Sequence, residues 1–247
     1  MNPLSKRLLT LGASGVIAVA GGYLVAPWEG EKKDKQGNNI AYIDMVGVPT
    51  ICHGWTQGVK LGDKKSDEEC EELLVEQLNA YNQAMKKKVT VPLYPHEEVA
   101  YTSFVWNVGV GAWNSSTLLK KLNSGDRMGA CASLLQWNKG TFSPKEVSAQ
   151  MARGEQCTLK KDGMYSCTIK GLTNRRVAEY KVCRGEDASI QEAIQQTLNE
   201  GVFMRPVEAP ETSEVTSPTS PLPTPLESAT EPLKEPEKAC RKILWWC

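Results

Sequence analysis

Residues 40–52 read IAYIDMVGVPTIC, a run of apolar and β-branched side chains punctuated by Gly47 and Pro49. Such a run predicts short strands with a turn between them. The sequence around it has a different period. Downstream, Ser66-Asp67-Glu68-Glu69 reads as a capping box, in which the Ser hydroxyl and the Glu three residues later satisfy each other's backbone amides, so a helix is expected to start there. Leu74, Leu78, Tyr81 and Met85 recur at helical spacing up to Lys86-Lys87-Lys88, whose positive charge suits a helix C-terminus. Further helical patterns fall at about 95–108, 115–123, 126–137 and 172–183, separated by turns that contain glycine. The expected fold is α+β and mainly helical, with a small β-lobe beside a larger helical lobe and a cleft between them.

The two ends have another character. Leu8–Val25, LLTLGASGVIAVAGGYLV, is eighteen residues without a charge, just long enough to span a bilayer, and Lys6 and Arg7 before it set the N-terminus inside. Its four glycines, Gly12, Gly15, Gly21 and Gly22, keep it far less hydrophobic than a Leu-rich anchor. Residues 1–26 are therefore expected to act as a weak signal-anchor, N-in and C-out. Cleavage as a secretory signal after Ala18-Val19-Ala20 is the alternative. Both readings export the rest of the chain, and eight cysteines fit an oxidising compartment. Cys157 and Cys167 bracket two short polar runs around an Asp-Gly turn signal, which suggests a stapled hairpin. From residue 186 the composition shifts, with eight of the fourteen prolines between Pro206 and Pro236. Residues 186–247 are expected to be a largely disordered tail, in which 189–200 can first form a short amphipathic helix on Ile190, Ile194 and Leu198. The final CRKILWWC, with Cys240 and Cys247, admits a membrane-interface contact, a small disulfide loop or neither.

Charge and composition exclude several functions. Lys+Arg and Asp+Glu number 29 each, which argues against a strongly basic nucleic-acid binder. The middle, 27–185, is mildly basic with 22 cationic and 18 anionic side chains, whereas 186–247 is acidic with 5 and 11. With His53 and His96 as the two histidines and no Cys or His cluster at ligand spacing, a zinc site has no ligand set.

Paired carboxylates are the remaining chemistry. Glycoside hydrolysis needs one carboxyl group to protonate the leaving oxygen and an ionised one on the other side of the bond. Glu29 follows Trp28 in PWEG, where an indole beside the carboxyl would lower its hydration, and Asp44 sits on the expected β-lobe with Thr50 six residues on to hold a water. WEG, AYIDMVGVPTICHG, FVWNVGVGAWNSSTLLKKLNSGD, GACASLLQW and GLTNRRVAEYKVC, in this order over roughly 27–184, resemble the phage-type lysozymes of glycoside hydrolase family 24, and the N-terminal segment makes the chain similar to signal-anchor-release endolysins.

The resemblance implies a lysozyme-like fold and an inverting muramidase that cuts the β-1,4 bond between N-acetylmuramic acid and N-acetylglucosamine of peptidoglycan, with no cofactor. It makes Glu29 the general acid and assigns Asp44 and Thr50 to charge stabilisation and water positioning. It places Trp106 and Asn107 along the sugar site and pairs Cys52 with Cys70 and Cys131 with Cys183. It also implies a membrane-bound form held by residues 8–25, a periplasmic form after release, and a functional link to a holin. Fourteen residues separate Glu29 from Asp44, more than the family's spacing, and the surplus falls in the polar EKKDKQGNN, read as a lengthened loop. Glu31 is therefore a rival acid, and Lys35 stands where the family spacing would place one. Trp113, Trp137 and Met128 are expected in the core, Arg175-Arg176 on a solvated helix face, and His53 near the site without a role. A wall-binding protein that keeps the fold without catalysis, and a membrane-active lysis protein acting through residues 8–25, are the competing functions.

Overall fold

The computed structural model describes residues 1–30, 32–44 and 48–204. Glu31, Gly47 of the expected strand turn, and the Pro-rich tail with Cys240 and Cys247 lie outside the described residues.

The N-terminal segment is broken rather than continuous. Helix α1 (Pro3–Thr10) is capped by Asn2, whose Oδ1 accepts from the Ser5 amide at 2.8 Å. It stops before Gly12, whose φ of +84° is a left-handed conformation that glycine adopts without steric cost. Helix α2 (Gly15–Val19) follows, capped by Ser14, then widens into a π turn over Ala20–Val25 and closes with a 3-10 turn over Ala26–Trp28. No described helix is long and apolar enough to cross a membrane. Instead Leu8, Val16, Ile17, Ala18, Val19, Leu24 and Val25 are buried in the main hydrophobic core.

Central to that core is α4 (Pro95–Val108), buried at every position from Glu97 to Val108, as a helix packed on all sides must be. Around it stand α3 (Asp67–Lys86), which starts at the expected Ser66/Glu69 capping box, α5 (Val110–Ser115), α6 (Thr117–Asn123), α7 (Arg127–Leu134) and α9 (Lys170–Cys183). The boundary that composition places at residue 185 falls inside this body. Helix α10 (Ala188–Asn199) buries Ile190, Ala193, Ile194 and Thr197 in the same core, and Leu198, expected on the apolar stripe, faces solvent. The chain beyond α10 then caps α2: the Gly15 amide donates to the Val202 carbonyl at 2.8 Å and the Val16 amide to Phe203 at 3.3 Å. The helix expected at 189–200 is present, but it packs into the helical body and does not begin a disordered tail; the prolines start only at Pro206.

The β-lobe consists of two short antiparallel pairs. β1 (Asn39–Ile40) pairs with β4 (Lys64–Lys65), and β2 (Tyr42–Ile43) with β3 (Pro49–Thr50), the latter placing Tyr42 opposite Thr50. The surplus residues before it form a tight turn. The Asp34 carboxylate accepts from the amides of Gln36 and Asn38, Gly37 takes a φ of +89°, and Lys64 holds the same carboxylate at 2.7 Å. These partners, Lys64 foremost, lower the Asp34 pKa to about 2.

A third sheet among the described residues, of which the sequence predicts only the stapled hairpin, has strand order β5-β7-β6 (Lys139–Phe142, Tyr165–Thr168, Gln156–Leu159), with α8 (Val147–Ala152) between β5 and β6. Its β6–β7 hairpin is stapled by Cys157–Cys167. Cys52–Cys70 ties the β-lobe to α3, and Cys131–Cys183 ties α7 to α9. Trp113 is fully buried and Trp137 packs edge-on against Phe104, but Met128 is 55% exposed, because the first turn of α7 points it away from the core.

Because Cys131–Cys183 closes a span of 52 residues, replacing both cysteines by Ala is expected to lower stability by about 4 kcal/mol through loop entropy. The shorter Cys157–Cys167 span of 10 residues should cost about 3 kcal/mol. Urea unfolding of the two double variants against wild type measures the order and the size.

Candidate active site

The 3-10 turn Ala26–Trp28 delivers Glu29 to the junction of the two lobes, its amide donating to the Ala26 carbonyl at 3.2 Å. The Glu29 side chain is 9% exposed. Its Oε1 accepts from Trp106 Nε1 on α4 at 3.1 Å and from Arg175 Nη1 on α9 at 3.3 Å. The indole that shields this carboxyl is thus Trp106, not the neighbouring Trp28, which is half-exposed.

Two side chains expected to meet a sugar are turned to other work. Trp106 is 3% exposed, packs edge-on against Tyr81 at 5.5 Å between ring centres, and spends its N–H on Glu29. That leaves no open ring face for a pyranose. Asn107 is fully buried, and its Oδ1 accepts from Arg176 Nη2 at 3.0 Å.

Arg175 and Arg176 themselves overturn the expected solvated face. Both are buried, with side-chain exposures of 1% and 0%, around Glu179, which is equally buried. Arg175 Nε lies 3.4 Å and Arg176 Nη2 2.9 Å from Glu179 Oε1. A buried carboxylate beside buried guanidinium groups is tolerated only when each charge is compensated and hydrogen-bonded, so this cluster fixes the geometry of its members.

Across the junction, the β-lobe presents Asp44 and Thr50. Asp44 Oδ1 accepts from the Val48 amide at 2.8 Å, and the backbone pair closes with the Asp44 amide donating to the Val48 carbonyl at 2.9 Å. The Thr50 hydroxyl lies 3.4 Å from Asp44 Oδ2 and 3.1 Å from the Val48 carbonyl, two acceptors for one hydrogen. Thr50 is buried and Asp44 is half-buried. Tyr42 joins them, two residues before Asp44 on the same strand face and opposite Thr50 in the register. Burial first, and then the nearby carboxyl groups of Glu29 and Asp44, push the Tyr42 hydroxyl pKa up, so it stays protonated. The strand period alone could have singled out Tyr42. His53 is buried beside Gly54, where an added Cβ would come within 3.8 Å of Glu29 Oε2. His53 and Glu29 border a cavity of about 390 Å³ whose lining also includes Arg7 of α1 and Glu71 of α3.

Residues 33–179 match the phage lysozyme family model. The chain belongs to the phage lysozyme family. The matched span contains Asp44, Thr50, Trp106, Arg175 and Glu179, and begins four residues beyond Glu29. The chain is 32% identical over 181 residues to the SAR-endolysin of Pseudomonas phage phiKMV, a match spanning 73% of this chain and 91% of that protein. It is 41% identical over 119 residues to the SAR-endolysin of Escherichia phage Mu, spanning 44% of this chain and 70% of that one. Among solved structures, it is similar to the endolysin from Escherichia coli O157:H7 phage FAHEc1, with 28% identity, a TM-score of 0.50, and coverage of 68% of this chain and 89% of that one. The muramidase domain of SpmX from Asticaccaulis excentricus shares the fold, with a TM-score of 0.51 at 19% identity over 70% of this chain and 96% of that one. This phage lysozyme is a glycosidase that hydrolyses peptidoglycan.

Replacing Arg175 by Met keeps much of the side-chain volume but removes one of the two buried guanidinium groups on Glu179, leaving Arg176 alone. The expected cost is about 3 kcal/mol in urea unfolding, together with loss of wall hydrolysis, since Glu29 loses one of its two donors.

Proposed function

We propose that the chain is an inverting muramidase that cuts between N-acetylmuramic acid and N-acetylglucosamine, with Glu29 as general acid and Asp44 with Thr50 on the water side. The observation that carries this reading is the asymmetry of the two carboxyl groups. Glu29 is enclosed and held on one oxygen by Trp106 and Arg175. Asp44 is half-buried and keeps Oδ2 turned to the Thr50 hydroxyl. A proton donor must be aimed at one atom, the glycosidic oxygen, whereas a water-activating carboxylate needs room for the water. In the reaction Glu29 gives its proton to the leaving oxygen as the C1–O bond breaks. A water ordered by Thr50 and deprotonated towards Asp44 attacks C1 from the opposite face, and positive charge on the ring is offset by the Asp44 carboxylate. Tyr42, whose raised pKa keeps its hydroxyl protonated, adds no charge of its own to the site.

The reading includes control by location. Leu8–Val25 is apolar enough to be held in a bilayer, yet in the folded enzyme the same residues are core. One segment cannot occupy both places. While it spans the inner membrane, Glu29, four residues beyond Val25, is pinned at the surface and the core lacks α1, α2 and the π turn. Once released to the periplasm, Arg7 reaches Glu71 of α3 as an ion pair, which requires that it has crossed the membrane. A potential that is negative inside retains Lys6 and Arg7, at about 2.3 kcal/mol per charge and 100 mV. A holin that collapses the potential removes that retention and favours release.

Release of reducing ends from purified peptidoglycan by the full chain tests the chemistry. Glu29→Gln and Asp44→Asn should each lower the rate by at least about a hundredfold, and Glu31→Gln should leave it unchanged. Loss in Glu31→Gln with activity kept in Glu29→Gln would move the acid to Glu31. Replacing Leu8–Val25 by an uninterrupted Leu-rich anchor should keep the protein in the membrane and abolish lysis in cells. Equal lysis would refute the control by location.

A further inference from the structure

The helix face that grips the acid also grips the N-terminal segment. Ser103 and Trp106 lie three residues apart on α4, one turn on one face. Trp106 donates to the Glu29 carboxylate. The fully buried Ser103 Oγ lies 3.1 Å from the carbonyl of Leu24, at the end of the π turn, and 2.8 Å from Glu179 Oε1. Carbonyls in the last turn of a helix lose their in-helix donors, so Leu24 offers an acceptor where a buried hydroxyl can satisfy it.

We propose that Ser103 is a positioning residue that couples docking of the N-terminal segment to the orientation of the acid. The inference rests on the reading of Glu29 as that acid. Ser103 touches neither Glu29 nor the substrate site, and acts along two arms. Through the Leu24 carbonyl it fixes the π turn from which the chain runs five residues to Glu29. Through Glu179 it fixes the carboxylate that holds Arg175 Nε, while Arg175 Nη1 reaches Glu29 Oε1. The two arms close a ring that contains the acid. With the segment undocked, the Leu24 carbonyl is gone, the hydroxyl is left with Glu179 alone, and Arg175 no longer meets the Glu29 carboxyl group at the end of the docked segment. Docking therefore aligns the acid as well as completing the core. A buried hydroxyl shared between two acceptors suits this task, because it joins them without adding a charge to a cluster already holding two guanidinium groups and a carboxylate.

The test compares the full chain with Ser103→Ala, Thr102→Ala and Glu29→Gln on purified peptidoglycan, reading kcat and KM, with thermal melting in parallel. Thr102 is the control, a fully buried hydroxyl on the neighbouring position of α4 that is bonded to Glu98 and Asn82 away from this ring. Ser103→Ala should lower kcat about tenfold through misalignment of the acid, with KM unchanged. Thr102→Ala should lower the melting temperature comparably and leave kcat at the wild-type value. Equal kcat in Ser103→Ala and wild type, or an equal fall in both alanine variants, would overturn the coupling. Activity retained in Glu29→Gln would overturn the acid assignment and the proposal with it. An inactive Glu29→Gln beside an unimpaired Ser103→Ala would overturn the coupling alone.

Discussion

The structure depends on one packing constraint: residues 8–25 must fill the core of the helical lobe. They contribute Leu8, Val16, Ile17, Leu24 and Val25 to the cluster that also holds Leu78, Val99, Phe104 and Ile194. The glycines that make the segment less hydrophobic are also what let it pack. A Cβ on Gly15 would stand 2.7 Å from Thr197 and the Phe203 backbone, and one on Gly21 would stand 2.8 Å from Leu8. Gly12 makes the left-handed turn between α1 and α2. Small residues thus serve both solvents. In the proposed membrane-held form they would lower the hydrophobic hold, and in the folded protein they allow backbones to approach to the density of a native interior.

Glu29 follows from that packing. It sits at the end of the segment, so its position is set by how the π turn and the 3-10 turn seat against α4. Charges buried on the other side complete the placement. Arg175, Arg176 and Glu179 are too deep to be stabilised by water, and each is costly unless its partners are in register. Such a cluster tolerates few arrangements. It holds Arg175 where a carboxylate at position 29 can meet it, across 146 residues of sequence.

What could be read from the sequence divides along the same line. The Ser66 capping box, the helices at 95–108 and 172–183 and the Cys157–Cys167 hairpin are local: each is written in residues a few positions apart, and each stands near its expected place. Arg175 and Arg176 are not legible locally, because charge ordinarily lies on the wet face of a helix and only the distant Glu29 and Asn107 and the neighbouring Glu179 reverse that preference. The same holds for Trp106. Its type suits stacking on a sugar, but Tyr81 and Glu29 claim its face and its N–H. Strand β5 carries too short an apolar pattern to declare itself, since Lys139-Gly140-Thr141-Phe142 has a single large apolar residue and becomes a strand only by pairing with β7.

The longer spacing between Glu29 and Asp44 looks from the sequence like a threat to the proposed catalytic alignment, and the local chemistry of the turn keeps the extra length from disturbing the strand that follows. The extra residues fold on themselves. The Asp34 side chain satisfies the amides of Gln36 and Asn38, the Asp34 amide meets the Asn38 carbonyl at 2.9 Å, and a bridge between Lys33 and Asn39 closes the turn. Lys64 and Asp67 then tie it down, the first to Asp34 and the second to both Lys33 and Asn39. With its polar groups satisfied and its ends brought together, such a turn transmits little strain to the strand that follows. Tyr42 therefore keeps its place opposite Thr50, and Asp44 keeps its bond to the Val48 amide. The insertion changes the length of the path between the two carboxylates but leaves intact the contacts that position each of them.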